Sequence, residues 1–360
     1  MVINILDLAP VKVSVNPADY SSFIYGVPKI GKTTLAYELY GERGLFLATE
    51  DRHKSLGGAK VQRITSWVEY LTVMNQLRQP GAKEMYDVVI LDTVENLYNM
   101  LEKYIAAKYK EKAVGERDDL WGKDWTDLKR SWKDGLNMIS EAGFVPCFIA
   151  HATENTVQIP ASGVLQSDLE GVTAELKTIK DKNDKNKTLD VYEFNKYMPD
   201  LKDKVFAPIN RMVDNILFCN TTLDISTGEE KRVIYLRDTL QWMAGSTFTD
   251  IEPIVPLSAT EYIKAVENAL GKVSKKQTRK SIKYEAKKEL DFNELMEKVK
   301  AAGKAFHENG KLDILTAISA NVFGTGNKVT DATEDQVELL AQAWSLIEQK
   351  AKTEKIEIKL

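Results

Sequence analysis

Near the N-terminus the residues Gly26-Val27-Pro28-Lys29-Ile30-Gly31-Lys32-Thr33 set two glycines, a lysine and a hydroxyl at fixed offsets. The pattern G-x-x-x-x-G-K-[ST] binds phosphate with its backbone: the glycines let successive amides turn inward around the oxygens. The N-terminus of the following helix adds partial positive charge. Lys32 is expected to bridge the β- and γ-phosphates and the Thr33 hydroxyl to hold Mg²⁺, with Thr34 next at the helix start. An apolar strand, Phe23-Ile24-Tyr25, runs into the loop, and Leu35, Ala36, Leu39 and Tyr40 mark one face of a helix beyond it. The bland alternative is a glycine-rich turn before a helix. The expected ligands are ATP and Mg²⁺.

Three further polar residues close apolar runs. Asp92 ends Asp87-Val88-Val89-Ile90-Leu91-Asp92, where a carboxylate can hold the magnesium ion or its water. Glu50 ends Leu45-Phe46-Leu47-Ala48-Thr49, and a carboxylate near the γ-phosphate can accept a proton from the attacking water. Asp51 is its rival, and helix capping is the structural alternative for either. His151 follows Phe148-Ile149-Ala150, a place from which an imidazole can hydrogen-bond the γ-phosphate and report its loss. A lone histidine is more commonly a surface or satisfied core residue. No Cys/His spacing suggests zinc, and no Ser/His/Asp arrangement is present.

The elements that must position these groups alternate. Strands are predicted at Ser22–Gly26, Gly44–Thr49, Val61–Ile64, Asp87–Asp92, Phe144–Ala150, Val213–Asn220 and Arg232–Arg237. Helical spacing links Trp67, Tyr70, Leu71, Met74 and Leu77, then Val94, Leu97, Leu101 and Tyr104, then Trp125, Leu128, Trp132, Leu136 and Ile139. Apolar strands without alternation, separated by helices, predict an α/β domain with a sheet covered on both faces. Residues 154–203 break the rhythm: they are polar, carry a Lys/Asp/Asn cluster at 180–187, and read as an insertion or hairpin. Gly271 to Lys288 holds eight lysines and arginines against the single acid Glu285, a basic linker. Beyond it strands disappear. Phe292, Leu295, Met296 and Val299, then Leu312, Leu315, Ile318 and Val322, then Val337, Leu340, Ala341, Trp344 and Ile347 form helical stripes. Thr333 to Gln336 reads as a capping box. The expected organisation is a core over 1–270, a linker over 271–290 and a helical module over 291–360.

At 360 residues, 43% apolar and 28% charged, the chain has an ordinary globular balance and room for two domains. No run is long and apolar enough for a membrane span, and the first residues do not read as a signal peptide. A cytoplasmic location is expected. The two cysteines, Cys147 and Cys219, sit in apolar runs and read as buried thiols more readily than as a disulfide. The net charge of −4 argues against a uniformly basic nucleic-acid coat while leaving room for local patches.

The order Gly26–Thr33, Glu50, Asp92 and His151 resembles the RecA-like P-loop ATPase core, specifically the phage-type AAA ATP-binding proteins. Trp121-Gly122-Lys123-Asp124-Trp125, Asp214-Asn215-Ile216-Leu217 and Ala244-Gly245-Ser246-Thr247-Phe248 add to the likeness, which covers about residues 20–270. The resemblance implies a mainly parallel sheet with the His151 strand between the P-loop and Asp92 strands. It implies homo-oligomers, a host-cell cytoplasmic setting and work with single-stranded DNA in recombination. Relatives commonly carry a basic residue near Ser246 that reaches a neighbouring subunit's nucleotide. Here that place is serine, and Arg237 is the nearest basic candidate.

Three readings follow. A DNA-dependent ATPase would use lysines 177–187 on phosphates and Tyr192, Phe194 or Tyr197 on bases, with the basic linker as a second contact. A nucleotide-switched loader or assembly protein would recruit a protein partner through its C-terminal helices. A small-molecule kinase needs an acceptor site and commonly an Arg-rich lid, and no Arg cluster is present.

Overall fold

In the computed structural model the described residues are 13–51, 56–164, 166–169, 171–180, 187–223, 228–274, 291–324 and 326–358. They fall into two compact units, one spanning 10–286 and the other built chiefly from 287–360.

The larger unit opens with β1 (Ser22–Gly26), α1 (Lys32–Tyr40), β2 (Gly44–Ala48), β3 (Lys60–Arg63), α2 (Trp67–Leu77) and α3 (Ala82–Met85). It continues through β4 (Val88–Asp92), α4 (Val94–Lys108), α5 (Lys123–Glu141), β5 (Val145–Pro160), β6 (Glu175–Lys180) and β7 (Thr188–Pro199). It closes with α6 (Asp203–Met212), β8 (Asn215–Leu223), β9 (Glu230–Tyr235), β10 (Gly245–Ser246), β11 (Ile254–Pro256) and α7 (Ala259–Ser274). The main sheet runs β11-β9-β8-β1-β5-β4-β2-β3, parallel from β8 to β3. Strands β9, β10 and β11 join antiparallel at the other edge. The strand carrying His151 therefore lies between the strand entering the P-loop and the strand ending in Asp92, as the resemblance noted above implies.

Burial explains why these strands read as unbroken apolar runs. Alternate residues of each strand enter opposite cores. Phe23, Tyr25, Leu45, Leu47, Val89, Leu91 and Phe148 pack with α2, α4, α5 and α6, where Trp132 donates from Nε1 to the Val205 carbonyl at 3.0 Å. Ile24, Phe46, Ile90, Ile149 and Leu217 pack on the other face with α1 and α7. Cys147 and Cys219 are free, buried thiols on β5 and β8, the two neighbours of β1, and burial pushes each pKa up to about 12. Within α5 the expected stripe holds from Leu128 to Ile139, while Trp125 lies outside the core at 44% exposure.

The largest departure from the sequence expectation is β5. It does not stop at Ala150 but runs on to Pro160, and its outer part pairs antiparallel with β7 from Ala152↔Pro199 to Pro160↔Val191. Strand β6 pairs with β7 in turn, so the insertion is a three-stranded antiparallel ribbon. Of its expected cluster at 180–187, residues 181–186 lie outside the described residues, as do 275–290 of the expected linker. Residues 271–274 of that linker belong to α7.

The smaller unit contains α8 (Phe292–Glu308), α9 (Leu312–Phe323) and α10 (Val337–Glu354) around Leu295, Val299, Phe306, Ile318, Leu340 and Ile347. Asp291 caps α8 by accepting from the Asn293 and Glu294 amides, and the Gln336 side chain accepts from the Thr333 amide at 3.2 Å. The expected α9 stripe is only partly covered: Ile318 is buried, but Leu312 is 44% exposed.

Candidate functional site

The chain leaves β1 at Gly26, which has no room for a side chain: a Cβ there would sit 2.0 Å from the Cys219 carbonyl oxygen of β8. The loop then turns through Lys29, at φ 63°, and Gly31, at φ 120°, both in the region that favours glycine. Ile30 anchors it from below, buried in the α1/α7 core, while Pro28, Lys29 and Thr34 are exposed and Val27 is half-buried. Helix α1 starts at Lys32 without a side-chain cap on its first turn, so those amides point at a place a phosphate can fill. Lys32 is 6% exposed, and its ammonium donates to the carbonyls of Gly26 at 2.9 Å and Val27 at 3.0 Å. An ammonium carries three donors, so the fold pre-aims this one and keeps an N–H for a phosphate oxygen. Burial lowers the Lys32 pKa, opposed in part by the carboxylates of Asp92, Glu95 and Glu50.

Asp92 lies one strand beyond β5, aligned with Ile149 and with Ala48 of β2. Thr33 donates from Oγ1 to Asp92 Oδ2 at 2.8 Å. Hydroxyl and carboxylate oxygens at that separation are hard donors that suit a magnesium ion keeping most of its waters. The ends of β2 and β4 are tied together: the Thr49 amide donates to the Asp92 carbonyl at 2.8 Å, and the Thr93 amide donates to Thr49 Oγ1 at 2.8 Å. Glu50 follows directly, and the Asn96 side-chain amide donates to its Oε1 at 3.1 Å. Asp51 instead pairs with Arg63 on the surface, which separates the two rivals for the same role.

His151 stands level with Gly26 on the adjacent strand. Its backbone amide donates to Glu95 Oε1, and its Nδ1 lies 3.6 Å from the same oxygen. The Glu95 carboxylate beside the ring raises the His151 pKa, partly opposed by burial. Thus Lys32, Thr33, Glu50, Asp92 and His151, spread over 120 positions of sequence, converge where the parallel strands end. Sequence spacing missed Thr49, Glu95 and Asn96. Glu95 and Asn96 sit on the first turn of α4, three and four residues after Asp92, which is the offset that brings helical side chains back over the strand end.

Of the lysines at 177–187 expected to meet DNA, residues 181–186 lie outside the described residues, and Lys177 is held by the carboxylates of Glu175 and Glu193. Lys196 pairs with Asp238. Of the three aromatics expected to stack on bases, Phe194 is buried at 4% exposure, which removes it from that role. Tyr192 and Tyr197 are half-buried, and the Tyr197 ring packs 5.4 Å from Phe218. Arg237 is committed within the chain: its guanidinium donates to the carbonyls of Ser246, Phe248 and Thr249 and so clamps the segment after β10. It is not a free finger. No helix among the described residues is long and apolar enough to cross a membrane.

Residues 18–176 match a protein-family model described as AAA domain, and that span holds the P-loop, Glu50, Asp92 and His151. A curated relative, the SPbeta prophage-derived uncharacterized protein YorG of Bacillus subtilis (strain 168), is 26% identical over 331 residues, covering 88% of this chain and 89% of its own. Among solved structures, a KaiC-like protein, PH0186, from Pyrococcus horikoshii OT3 is 12% identical over 64% of this chain and 90% of its own. The TM-score of that match is 0.30.

Proposed function

We propose that this chain, a phage-type RecA-like P-loop protein with an AAA domain, is a Mg-dependent ATPase of phage DNA recombination or replication that binds single-stranded DNA when ATP is bound. The observation that carries the reading is the continuity of β5. Its first six residues are buried between the P-loop strand and the Asp92 strand, His151 marks the boundary, and the same strand then enters the exposed ribbon. A displacement at the phosphate end of β5 is therefore a displacement of the ribbon. The prophage origin of the relative supports the phage setting.

In this reading the α1 amides and Lys32 hold the phosphates, Thr33 and Asp92 hold the magnesium ion, and Glu50 accepts a proton from the attacking water. Magnesium, when bound, neutralises charge on the terminal phosphates. Asn96 keeps the Glu50 carboxylate from swinging to solvent. His151 donates to a terminal phosphate oxygen, and loss of that oxygen on hydrolysis frees β5. The test is the ATP hydrolysis rate with and without single-stranded DNA at low and moderate salt. Stimulation that fades as salt rises supports the proposal, because phosphate contacts release counterions.

A second reading, a nucleotide-switched loader or assembly protein, is favoured by two observations. The ribbon lysines Lys177 and Lys196 are already paired with carboxylates. In the C-terminal unit, Leu312 is left exposed beside a cavity of about 560 Å³ lined also by Val299, Gly303 and His307, a surface suited to an apolar partner. Absence of both stimulation and DNA binding in every nucleotide state would select this reading.

A further inference from the structure

Glu95 belongs to no motif, yet it turns from the first turn of α4 into the phosphate end of the sheet. Its side chain is 16% exposed; Oε1 accepts from the His151 amide, and Oε2 is buried with no hydrogen-bond partner. Leaving a buried acceptor unpaired carries the full cost of stripping its water. A carboxylate on the first turn of a helix is favoured by the helix dipole. That preference is met just as well by a carboxylate pointing to solvent, so it does not explain the inward turn. Nor does the backbone bond alone, which a smaller acceptor would satisfy.

We propose that Glu95 is the positioning residue of His151: it orients the imidazole through Nδ1 so that Nε2 donates to a terminal phosphate oxygen of the bound nucleotide. The proposal rests on the nucleotide-site reading above and names how its least specific member is held. With Nδ1 at 3.6 Å from Oε1, a small ring rotation brings the imidazole to hydrogen-bond distance of the carboxylate. In the imidazolium form both ring nitrogens donate, one to Glu95 and the other outward. The charged groups facing His151 are Glu95 from α4, Glu50 from the end of β2 and Lys32 from α1; the two carboxylates favour the cation and Lys32 opposes it. The His151 carbonyl accepts from the Asp200 amide at 2.9 Å, just past the end of β7. Glu95 thus grips the backbone where the core part of β5 gives way to the ribbon.

The direction of the titration is fixed by sign. A histidine whose folded pKa is raised favours folding while it is protonated, and that contribution fades as pH rises through the folded pKa. Glu95→Gln keeps the shape and an acceptor but removes the charge. In the nucleotide-free full-length chain, the ¹⁵N imidazole titration of His151, assigned with His151→Gln, is expected to move to lower pH in Glu95→Gln. An unmoved titration would overturn the proposal, and this outcome does not depend on whether ATP is hydrolysed. In the hydrolysis assay, Glu95→Gln is expected to lower kcat roughly tenfold with KM for ATP little changed, a smaller loss than removing a phosphate donor outright. In a His151→Gln background the same change is expected to have no further effect, since residues acting as one unit do not add. Additive losses would mark Glu95 as merely structural and would also overturn the proposal. If the unaltered protein neither binds nor hydrolyses ATP, the site reading fails, whereas the titration still decides the Glu95–His151 link.

Discussion

Gly26 offers the sharpest separation of a phosphate-binding role from a packing role. In Gly26→Ala the new methyl carbon would lie 2.0 Å from the Cys219 carbonyl oxygen, 2.9 Å from its carbon and 3.0 Å from the Cys219 Cβ, and real contacts begin above 3.0 Å. The first obstacle is backbone in the middle of a parallel sheet, aligned Gly26↔Cys219, so no side-chain rotation relieves it. Strands β1 and β8 must separate by at least 3.0 − 2.0 = 1.0 Å at this point. Overpacking of this kind costs about 1–3 kcal/mol, and weakening one ladder hydrogen bond adds about 1 kcal/mol. Loss of glycine's freedom in the unfolded chain offsets less than about 1 kcal/mol. The net of roughly 1–3 kcal/mol corresponds to a melting temperature lower by about 3–10 °C for a unit of this size. Thermal unfolding followed by circular dichroism, without nucleotide, measures it. A variant that melts at the unaltered temperature while losing ATP affinity would refute the argument and return Gly26 to the phosphate alone.

Three further expectations follow from the same geometry. Glu50→Gln is expected to bind ATP normally and to hydrolyse it about 10²–10⁴-fold more slowly; a normal turnover would place the base elsewhere. Asp92→Asn is expected to raise the magnesium concentration needed for half-maximal hydrolysis, and an unchanged metal titration would release Asp92 from that role. Lys32→Met is expected to abolish ATP binding yet raise the melting temperature of the nucleotide-free protein. Burial lowers the Lys32 pKa, which means that the fold works against this charge at neutral pH when no phosphate is present. A lower melting temperature would show that its bonds to the Gly26 and Val27 carbonyls outweigh the desolvation.

The parts of the fold that sequence reveals are those where one physical demand dominates. Strands β1, β2 and β4 are buried on both faces, so each is a short apolar run, and Gly26 to Thr33 is dictated by backbone geometry around a phosphate. Beyond Ala150 the demand changes within a single strand. The outer half of β5 pairs with β7 in a ribbon with partly exposed faces, so its side chains are mostly polar and the apolar run that marks a core strand ends early. Glu95 and Asn96 escaped for a different reason: motif reading looks at strand ends, whereas these residues return to the site by folding back on a helix turn. The pairing of Lys177 with Glu193 was equally hidden, because the partners are 16 residues apart and meet only through the β6–β7 register.

The two cysteines give the sheet its own reporter. They are the only two in the chain, one on each strand that flanks β1, and in the folded state both thiols are sealed from solvent and held protonated. A thiol-directed reagent can reach them only when the strands beside the P-loop come apart. The rate at which a small alkylating agent labels the native protein therefore counts openings of that part of the sheet. Saturating nucleotide should slow this clock by the same factor by which binding stabilises the closed sheet.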